Sequence, residues 1–421
     1  MDVFVKPSAL AGSVTVPPSK SAAHRAIIAA ALADGQSIIK NVDLSSDIRA
    51  TIDACKNLGA DIQILPDAHY STLKIRGGLN ISGSAVIDCA ESGSTLRFFI
   101  PIACALAGKK IFGGQGRLPQ RPIDAYFDIF DEQNVSYTKP DDANLPLTVE
   151  GTLAPGQYTI DGGVSSQYIT GLLFALPLLS GDSAITVTGS FESRGYVDLT
   201  VSILSDFGIQ ISRVENEYLI HGGQKFRPRA LTVEGDYSQA AFFLVGGTIG
   251  GEITVSGLKN DSLQPDRAIV DILRRMGADI RREGDELVAG LSALHGITVD
   301  VSQCPDLVPP IAIAAAYANG QTHITGAARL RIKESDRLAA LSSNLVALSV
   351  GVEELPDGLM INGGEIGPGT VDSHGDHRIT MAFAVAAAVS KSGVTITGAQ
   401  AIEKSYPRFF SDYRSLGGKV T

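Results

Sequence analysis

The chain has 421 residues, 44% of them apolar, and a net charge of −10, so it is long enough for two hydrophobic cores. An acidic chain lacks the clustered Lys and Arg of a general nucleic-acid binder, and its longest apolar stretches, such as Phe98–Ala107, are too short to cross a bilayer. The N-terminal residues do not form a signal-peptide pattern and the four cysteines show no metal-ligand spacing, so we expect a cytoplasmic protein without metal, cofactor, membrane or nucleic-acid partner.

The predicted elements repeat six times along the chain. Each copy begins with a short strand, continues through a polar turn into a helix of small apolar residues, and ends at Gly. A second segment follows, a helix that ends near Leu-Gly and then two short strands. At about 70 residues per copy, the repeat is long enough to be a βαβαββ layer. The copies begin at Ser13, Ala85, Tyr158, Leu231, Ile297 and Thr370.

The last copy stops at Thr421, before its second strand. The segment Asp2–Lys6 matches the missing strand, so we expect the N-terminus to complete the last repeat. This assignment predicts a C-terminal-half domain formed by residues 1–16 and 229–421, and an N-terminal-half domain formed by residues 17–228. The fold class is therefore α/β, with two similar domains of three βαβαββ repeats each.

A polar turn precedes the apolar helix in every copy, and a helix N-terminus favours anions. The Ser and Asp residues of these turns have an ordinary explanation as helix caps, which suits Ser165 and Asp306. The same explanation fails for Lys20, Arg25 and Arg378, because a cation near the start of a helix opposes the helix dipole. A bound anion would offset that cost, so the turns predict anion binding.

Further cations occur in polar segments between the repeats. Arg pairs with carboxylate and phosphate through two parallel hydrogen bonds, so such segments are candidates for the same anion site. The run KESDR has a second interpretation as the solvated start of a helix, which the sequence leaves open. These candidates are Arg121, Arg194, Arg329, Arg331, Lys333, Arg337 and Lys404.

Eight short motifs occur along the chain: PPSKSxxxR from Pro17, SGST-x-R from Ser92, RPI from Arg121, SSQ from Ser165, PD at Pro305, IKESDR from Ile332, DHR from Asp376 and EKSYPRF from Glu403. They lie in the order found in one family of enolpyruvyl transferases, the EPSP synthase (3-phosphoshikimate 1-carboxyvinyltransferase) family, which the chain resembles over nearly its whole length. The resemblance implies an inside-out α/β barrel in each domain, an active site in the inter-domain cleft, no cofactor and a monomer. It also implies transfer of the enolpyruvyl group of phosphoenolpyruvate to the 5-hydroxyl of shikimate 3-phosphate, in the pathway to chorismate and the aromatic amino acids.

The resemblance assigns roles to the matching positions. Asp306 would take the proton of the 5-hydroxyl, and Glu334, Lys20 or Lys404 would protonate the methylene carbon. Glu91 and Arg329 stand where many members have Asn, which leaves their contacts open. Shikimate 3-phosphate would be bound by Lys20, Ser21, Arg25, Ser165, Ser166, Gln167, Ser193, Tyr196, Asp306 and Lys333. Phosphoenolpyruvate would be bound by Lys20, Gly93, Arg121, Gln167, Arg337, Arg378 and Lys404.

Three alternatives remain at this point. A UDP-N-acetylglucosamine enolpyruvyl transferase shares the fold but usually carries a Cys in a mobile loop, and the corresponding loop Phe112–Leu118 has none. An RNA cyclase built from similar repeats should carry a nucleotide site, and the chain has no GK[ST] phosphate loop. A non-enzymatic anion-binding scaffold would retain the arginines but would not need both Asp306 and Glu334.

Overall fold

The computed structural model describes residues 1–67, 69–79, 83–106 and 108–421. The last residue of the predicted helical stretch Phe98–Ala107 therefore lies outside the described residues. Contacts divide the chain into two units: the C-terminal unit, formed by Met1–Pro18 and Glu234–Thr421, and the N-terminal unit, Ser19–Val233. No helix within the described residues is both long enough and apolar enough to cross a membrane.

Strands and helices alternate along both units. Up to the second crossing between the units the elements are β1 (Val3–Lys6), β2 (Gly12–Thr15), α1 (Lys20–Leu32), β3 (Gln36–Val42), α2 (Ser46–Asn57), β4 (Asp61–Pro66), β5 (Ser71–Arg76), β6 (Ala85–Asp88), α3 (Gly93–Ala105), β7 (Lys110–Gly113), α4 (Asp124–Gln133), β8 (Ser136–Thr138), β9 (Leu147–Glu150), β10 (Gln157–Asp161), α5 (Ser166–Ala175), β11 (Ser183–Thr188), α6 (Arg194–Asp206), β12 (Ile211–Val214), β13 (Glu217–Ile220) and β14 (Ala230–Thr232). The remaining elements are α7 (Tyr237–Gly250), β15 (Ile253–Ser256), α8 (Ile269–Arg275), β16 (Asp279–Glu283), β17 (Glu286–Gly290), β18 (Thr298–Asp300), α9 (Val308–Tyr317), β19 (Gln321–Thr325), α10 (Arg337–Ala347), β20 (Gly351–Leu355), β21 (Gly358–Asn362), β22 (Gly369–Asp372), α11 (His377–Ala388), β23 (Val394–Thr397), α12 (Phe409–Ser415) and β24 (Lys419–Val420).

The strands of the described residues form six four-stranded sheets, three in each unit. In the N-terminal unit the strand orders are β14-β3-β5-β4, β6-β7-β9-β8 and β10-β11-β13-β12. In the C-terminal unit they are β2-β15-β17-β16, β18-β19-β21-β20 and β22-β23-β1-β24. Each sheet has one parallel pair and two antiparallel pairs. The predicted α/β fold with three βαβαββ layers in each half is confirmed.

At the chain ends and at the two crossings between the units, strands pair with partners that are distant in the sequence. Strand β1 lies between β23 and β24, with Val3 opposite Ile396 and Val5 opposite Val420. Strand β2 pairs in parallel with β15 of the C-terminal unit, and β14 pairs in parallel with β3 of the N-terminal unit. The sequence-based division placed β14 with the C-terminal half instead, because a strand pattern does not identify its partner strand. The domain boundaries inferred from the sequence stay predictions.

Each unit encloses its own core of apolar helices. In the N-terminal unit α1, α3 and α5 are buried along almost their whole length, and in the C-terminal unit the same holds for α7, α9 and α11. Helices that are apolar on all sides are expected in an interior. The polar turns therefore lie where buried helices begin, and these helix ends hold the candidate site residues.

Candidate active site

Helix α1 places two predicted site residues in its first turns. Lys20 is its first residue, and its Nζ donates a hydrogen bond of 2.6 Å to Asp47 Oδ2 in α2. The helix is capped by Ser19 Oγ, which accepts from Ala22 N at 3.3 Å. In the N-terminal unit the positive charge at this helix start is therefore balanced by an aspartate of the neighbouring helix.

Arg25 lies one turn further along α1 and is buried. Its Nε donates to Thr200 Oγ1 at 2.7 Å, and its Nη1 and Nη2 donate to the carbonyl oxygens of Ser21 and Tyr196 at 2.7 and 3.1 Å. The guanidinium also lies over the Phe98 ring, 5.2 Å from its centroid. Burial lowers the pKa of Arg25 to about 10, so the side chain stays charged at neutral pH. Three residues predicted to bind shikimate 3-phosphate thus meet at one place.

Gly93, the first residue of α3, lies directly beneath the guanidinium of Arg121. A Cβ atom at Gly93 would lie 2.6 Å from Arg121 Nη1, closer than any side chain could be accommodated without movement. Arg121 is itself buried, with 7% of its surface exposed. A larger residue at Gly93 would therefore displace the Arg121 guanidinium, and these are two residues predicted to bind phosphoenolpyruvate.

Gln167 in α5 is oriented by two neighbours from α3. Arg97 Nη1 donates to Gln167 Oε1 at 2.7 Å, and Gln167 Nε2 donates to Ser94 Oγ at 2.9 Å. The sequence motif contained Arg97 but assigned it no role, and its position five residues into a buried helix was the available signal. Ser165 caps α5 by accepting from Gln167 N at 3.3 Å, which confirms the cap interpretation for this residue.

The remaining predicted residues of the N-terminal unit start α5 and α6. Ser166 is the first residue of α5 and Ser193 precedes α6, and both side chains are buried. Ser193 adopts a left-handed φ of 52°, an unusual backbone geometry for a residue other than Gly. The two helices meet in their first two turns, since Thr170 Oγ1 in α5 lies 2.9 Å from Thr200 Oγ1 in α6.

In the C-terminal unit, Asp306 accepts hydrogen bonds from two arginines. Arg337 Nη1 donates to Asp306 Oδ1 at 3.0 Å, and Arg378 Nη2 donates to Oδ2 at 2.9 Å. The Asp306 side chain is 21% exposed, against 1% for Arg337. The cap interpretation of Asp306 is wrong: the residue lies in the 3₁₀ helix Pro305–Leu307, whose start has no side-chain cap. Cations from α10 and α11 occupy its oxygens instead.

Arg337 faces three carboxylates, because besides Asp306 it also contacts Asp376 and Glu334. Its Nε donates to Asp376 Oδ2 and its Nη2 to Glu334 Oε2, both at 2.7 Å. Asp376 has no exposed side-chain surface, and it also accepts from Ser335 Oγ at 3.1 Å. The interpretation of KESDR as a solvated helix face is therefore wrong for Arg337. The sequence assigned no role to Asp376, although its place in the DHR motif marked it.

These charges shift one another's pKa values. Burial alone would raise the pKa of Asp306, but Arg378, Lys333 and Arg337 outweigh it and hold that pKa well below its usual range. Burial would likewise lower the pKa of Arg337, but Asp376, Glu334 and Asp306 raise it. For Lys333 burial dominates and lowers the pKa to about 8, although Asp306 opposes it. At neutral pH the cluster therefore contains an ionised Asp306 beside three cations.

Lys404 and Ser238 bring two further elements to the same helix ends. Lys404 Nζ donates to the carbonyl oxygen of Gly375 at 2.7 Å, in the turn before α11. Arg378 Nη2 donates to Ser238 Oγ at 3.0 Å, and that hydroxyl donates to Asp236 Oδ1 at 2.6 Å. Asp236 caps α7, so the first turns of α7 and α11 are joined through Arg378. No sequence motif assigned a role to Asp236 or Ser238.

The two departures from the family pattern have distinct surroundings. Arg329 is buried, and its Nη2 donates to the carbonyl oxygen of Ser302 at 2.5 Å. Glu91 packs against Gly116, since a Cβ atom at Gly116 would overlap the Glu91 carboxylate. Each residue thus contacts its own unit.

Cysteine and metal chemistry bear on the alternatives. All four cysteines are unpaired and buried, and burial raises the pKa of the Cys304 thiol to about 12. A thiol with such a pKa is protonated at neutral pH and is a poor nucleophile or acid catalyst. Across the described parts of the chain, no three His, Cys, Asp or Glu side chains are grouped as metal ligands.

Comparison with known proteins identifies the family. The sequence model of EPSP synthase (3-phosphoshikimate 1-carboxyvinyltransferase) matches residues 5–413. Proteins named 3-phosphoshikimate 1-carboxyvinyltransferase are 45% identical in Clostridium novyi, covering 100% of this chain and 98% of the relative, and 47% identical in Clostridium acetobutylicum, covering 99% and 98%.

Solved structures agree with this match. An EPSP synthase from Acinetobacter baumannii superposes with a TM-score of 0.82 at 27% identity, covering 100% of this chain and 99% of that one. The enolpyruvyl transferase NikO from Streptomyces tendae, at a TM-score of 0.80 and 18% identity over 100% of this chain and 98% of that one, shares the fold. From the full-length match and the 45–47% identity, the chain belongs to the EPSP synthase (3-phosphoshikimate 1-carboxyvinyltransferase) family.

Proposed function

We propose that the protein transfers the enolpyruvyl group of phosphoenolpyruvate to the 5-hydroxyl of shikimate 3-phosphate and releases phosphate. The relatives that carry this name match the chain from end to end. The structural observation that carries the proposal is the Asp306 carboxylate held between Arg337 and Arg378. This group is a base of the kind the acceptor hydroxyl needs, beside cations suited to an anionic donor.

The arginines change partners when phosphoenolpyruvate binds. In the free protein Asp306 and Glu334 accept the hydrogen bonds of Arg337 and Arg378. Phosphoenolpyruvate brings a carboxylate and a phosphate, which compete for the same guanidinium groups. Once these anions accept the hydrogen bonds of the arginines, the attraction that holds the pKa of Asp306 low is reduced. The pKa of Asp306 therefore rises. Binding of the donor therefore converts an ion-paired carboxylate into a usable general base.

The reaction then needs three proton transfers: one to the methylene carbon, one from the 5-hydroxyl oxygen, and one from the resulting methyl group back to the group that protonated it. Protonation of the methylene carbon by Glu334, Lys20 or Lys404 develops positive charge on the adjacent carbon, which carboxylates stabilise. The 5-oxygen forms its bond to that carbon as Asp306 takes the hydroxyl proton. The bond from that carbon to the phosphate oxygen breaks, and a methyl proton leaves to restore the double bond. Fixed Arg and Lys side chains stabilise the departing phosphate anion.

The N-terminal unit supplies the remaining binding groups. The start of α5 is a helix N-terminus, a position that favours phosphate, and Gln167 there is fixed by Arg97 and Ser94. We assign shikimate 3-phosphate to Lys20, Ser21, Arg25, Ser165, Ser166, Gln167, Ser193, Tyr196, Asp306 and Lys333. We assign phosphoenolpyruvate to Lys20, Gly93, Arg121, Gln167, Arg337, Arg378 and Lys404. A cytoplasmic monomer remains part of the proposal.

The test is release of phosphate from phosphoenolpyruvate with and without shikimate 3-phosphate. We expect release only with the acceptor present, and UDP-N-acetylglucosamine should not replace it. Asp306→Ala should reduce turnover by roughly 10²–10⁴-fold while shikimate 3-phosphate still binds in calorimetry. Release driven by UDP-N-acetylglucosamine would favour the sister enzyme, and full turnover by Asp306→Ala would remove the assigned base.

A further inference from the structure

A chain of buried hydrogen bonds joins α1, α2 and α3 in the N-terminal unit. His24 Nδ1 lies 2.7 Å from Thr51 Oγ1, which lies 2.7 Å from Thr95 Oγ1. Thr95 Oγ1 donates to Ser92 Oγ at 2.8 Å. All four side chains are buried, with at most 1% exposed surface, so each depends on neighbouring protein groups for its hydrogen bonds. We call these residues the His24–Ser92 hydrogen-bond chain.

The direction of this chain follows from counting hydrogens. Ser92 Oγ accepts from Thr95 N at 3.1 Å and from Thr95 Oγ1. A hydroxyl has a single hydrogen, so Thr95, which gives its own to Ser92, must accept from Thr51. Thr51 has then used its hydrogen as well and must accept from His24. The hydrogen of the His24 ring therefore lies on Nδ1.

The other ring nitrogen of His24 indicates that the ring is neutral. Nε2 is buried and has no hydrogen-bond partner in the described structure, and the ring meets Phe98 edge-on at 6.4 Å. A proton on Nε2 would leave a buried charge and an unpaired N–H group. Burial, Lys20 and Arg25 all lower the pKa of His24, which lies well below its ordinary value.

We propose that His24 is a positioning residue for the phosphoenolpyruvate-binding turn, acting as a fixed Nδ1–H donor at the head of the His24–Ser92 hydrogen-bond chain. In this direction both lone pairs of Ser92 Oγ are bonded to Thr95, which fixes the Ser92 side chain at the cap of α3. The next residue is Gly93, against which Arg121 packs. The link to phosphoenolpyruvate rests on the proposed function, whereas the ring tautomer does not.

The tautomer is tested by nuclear magnetic resonance on protein with ¹⁵N-labelled histidine. The chain has seven histidines, and loss of one set of signals in His24→Asn assigns the ring. We expect a protonated Nδ1 and an unprotonated Nε2, unchanged from about pH 5.5 to 8.5. A protonated Nε2, or titration within that range, would overturn the proposal even if the enzyme is fully active.

The positioning role is tested by steady-state kinetics of His24→Leu, His24→Asn and Thr51→Val. We expect His24→Leu and Thr51→Val to raise the KM for phosphoenolpyruvate roughly fivefold, the scale of a lost helix cap, with kcat nearly unchanged. His24→Asn retains an N–H donor and should restore most of the affinity. The matched control is Thr248→Val, which removes a buried hydroxyl that bonds Val245 O within its own helix.

The outcomes separate positioning from folding and from the proposed function. Thermal unfolding of each variant measures the stability loss independently of KM. A loss of stability with an unchanged KM for phosphoenolpyruvate, or an equal rise in Thr248→Val, would refute the positioning role. If the wild-type protein releases no phosphate from phosphoenolpyruvate, the proposed function fails while the tautomer result still stands or falls by itself.

Discussion

Raising the pH above 8 should weaken shikimate 3-phosphate binding through Lys333. Burial lowers the pKa of this lysine to about 8 in the free protein. Above that value its protonated fraction falls steadily as the pH rises. A phosphorylated ligand binds the protonated form, and only about one tenth of the lysine is protonated at pH 9. The KM for shikimate 3-phosphate should therefore rise roughly tenfold between pH 7 and pH 9.

The assay is initial-rate kinetics across about pH 6.5 to 9.5, with Lys333→Arg as the matched variant. A guanidinium stays charged throughout this range, so the rise in KM should flatten in Lys333→Arg if Lys333 is its cause. Calorimetry in two buffers near pH 8.5 should also show proton uptake on binding to the wild-type protein. Parallel pH profiles for the two proteins would refute the reasoning, because another group would then be titrating.

The same pKa has a consequence for stability. Between about pH 8 and the ordinary lysine value of 10.5, the unfolded chain binds more protons at Lys333 than the folded protein does. The free energy of unfolding should therefore increase as the pH rises through this window. The same gain in stability should be lost as the pH falls through 8. Lys333→Met should remove an unfavourable term of about 3 kcal/mol at pH 7, measured by urea unfolding, while shikimate 3-phosphate binding is lost.

Three further substitutions test particular contacts. Gly93→Ala places a methyl group against the Arg121 guanidinium and should raise the KM for phosphoenolpyruvate by roughly 10–100-fold. Asp376→Asn keeps the cap of α11 but breaks a buried pair with Arg337, so chemical denaturation should show a loss of about 3–5 kcal/mol. Arg331→Gln removes the bonds that tie the segment carrying Lys333 to Asp336 and to strand β20 and should lower kcat/KM roughly tenfold.

Each of these variants has a control elsewhere in the chain. Gly364→Ala adds a methyl group where no atom lies within 4 Å and should leave KM unchanged. Asp236→Asn changes a buried cap that binds Ser238 and Gln239 N–H groups and should shift the unfolding free energy by less than about 1 kcal/mol. Arg281 lies on the exposed strand β16, near three carboxylates. Arg281→Gln should not alter kcat/KM. Equal effects in test and control would contradict the assigned contacts.

The sequence was sufficient for the repeat and for most of the architecture. Alternating strands, polar turns and apolar helices are local patterns, so each βαβαββ layer could be recognised from its own residues. The sequence-based boundary grouped β14 with the C-terminal half, because the alternation of β14 would be satisfied equally well on the edge of a sheet in either half. Hydrogen bonding to β3, more than 180 residues earlier in the chain, determines the sheet in which it lies.

For the site, the sequence by itself determined which residue types stand at the buried helix ends, since cations there conflict with the helix dipole. Only the tertiary structure decided their partners. Asp306 resembled a cap in sequence and is instead held by Arg337 and Arg378, and Asp376 and His24 gained roles that no motif assigned. The physical reason is that hydrogen bonds and ion pairs are short and directional, so they depend on how helices distant in the sequence pack against one another.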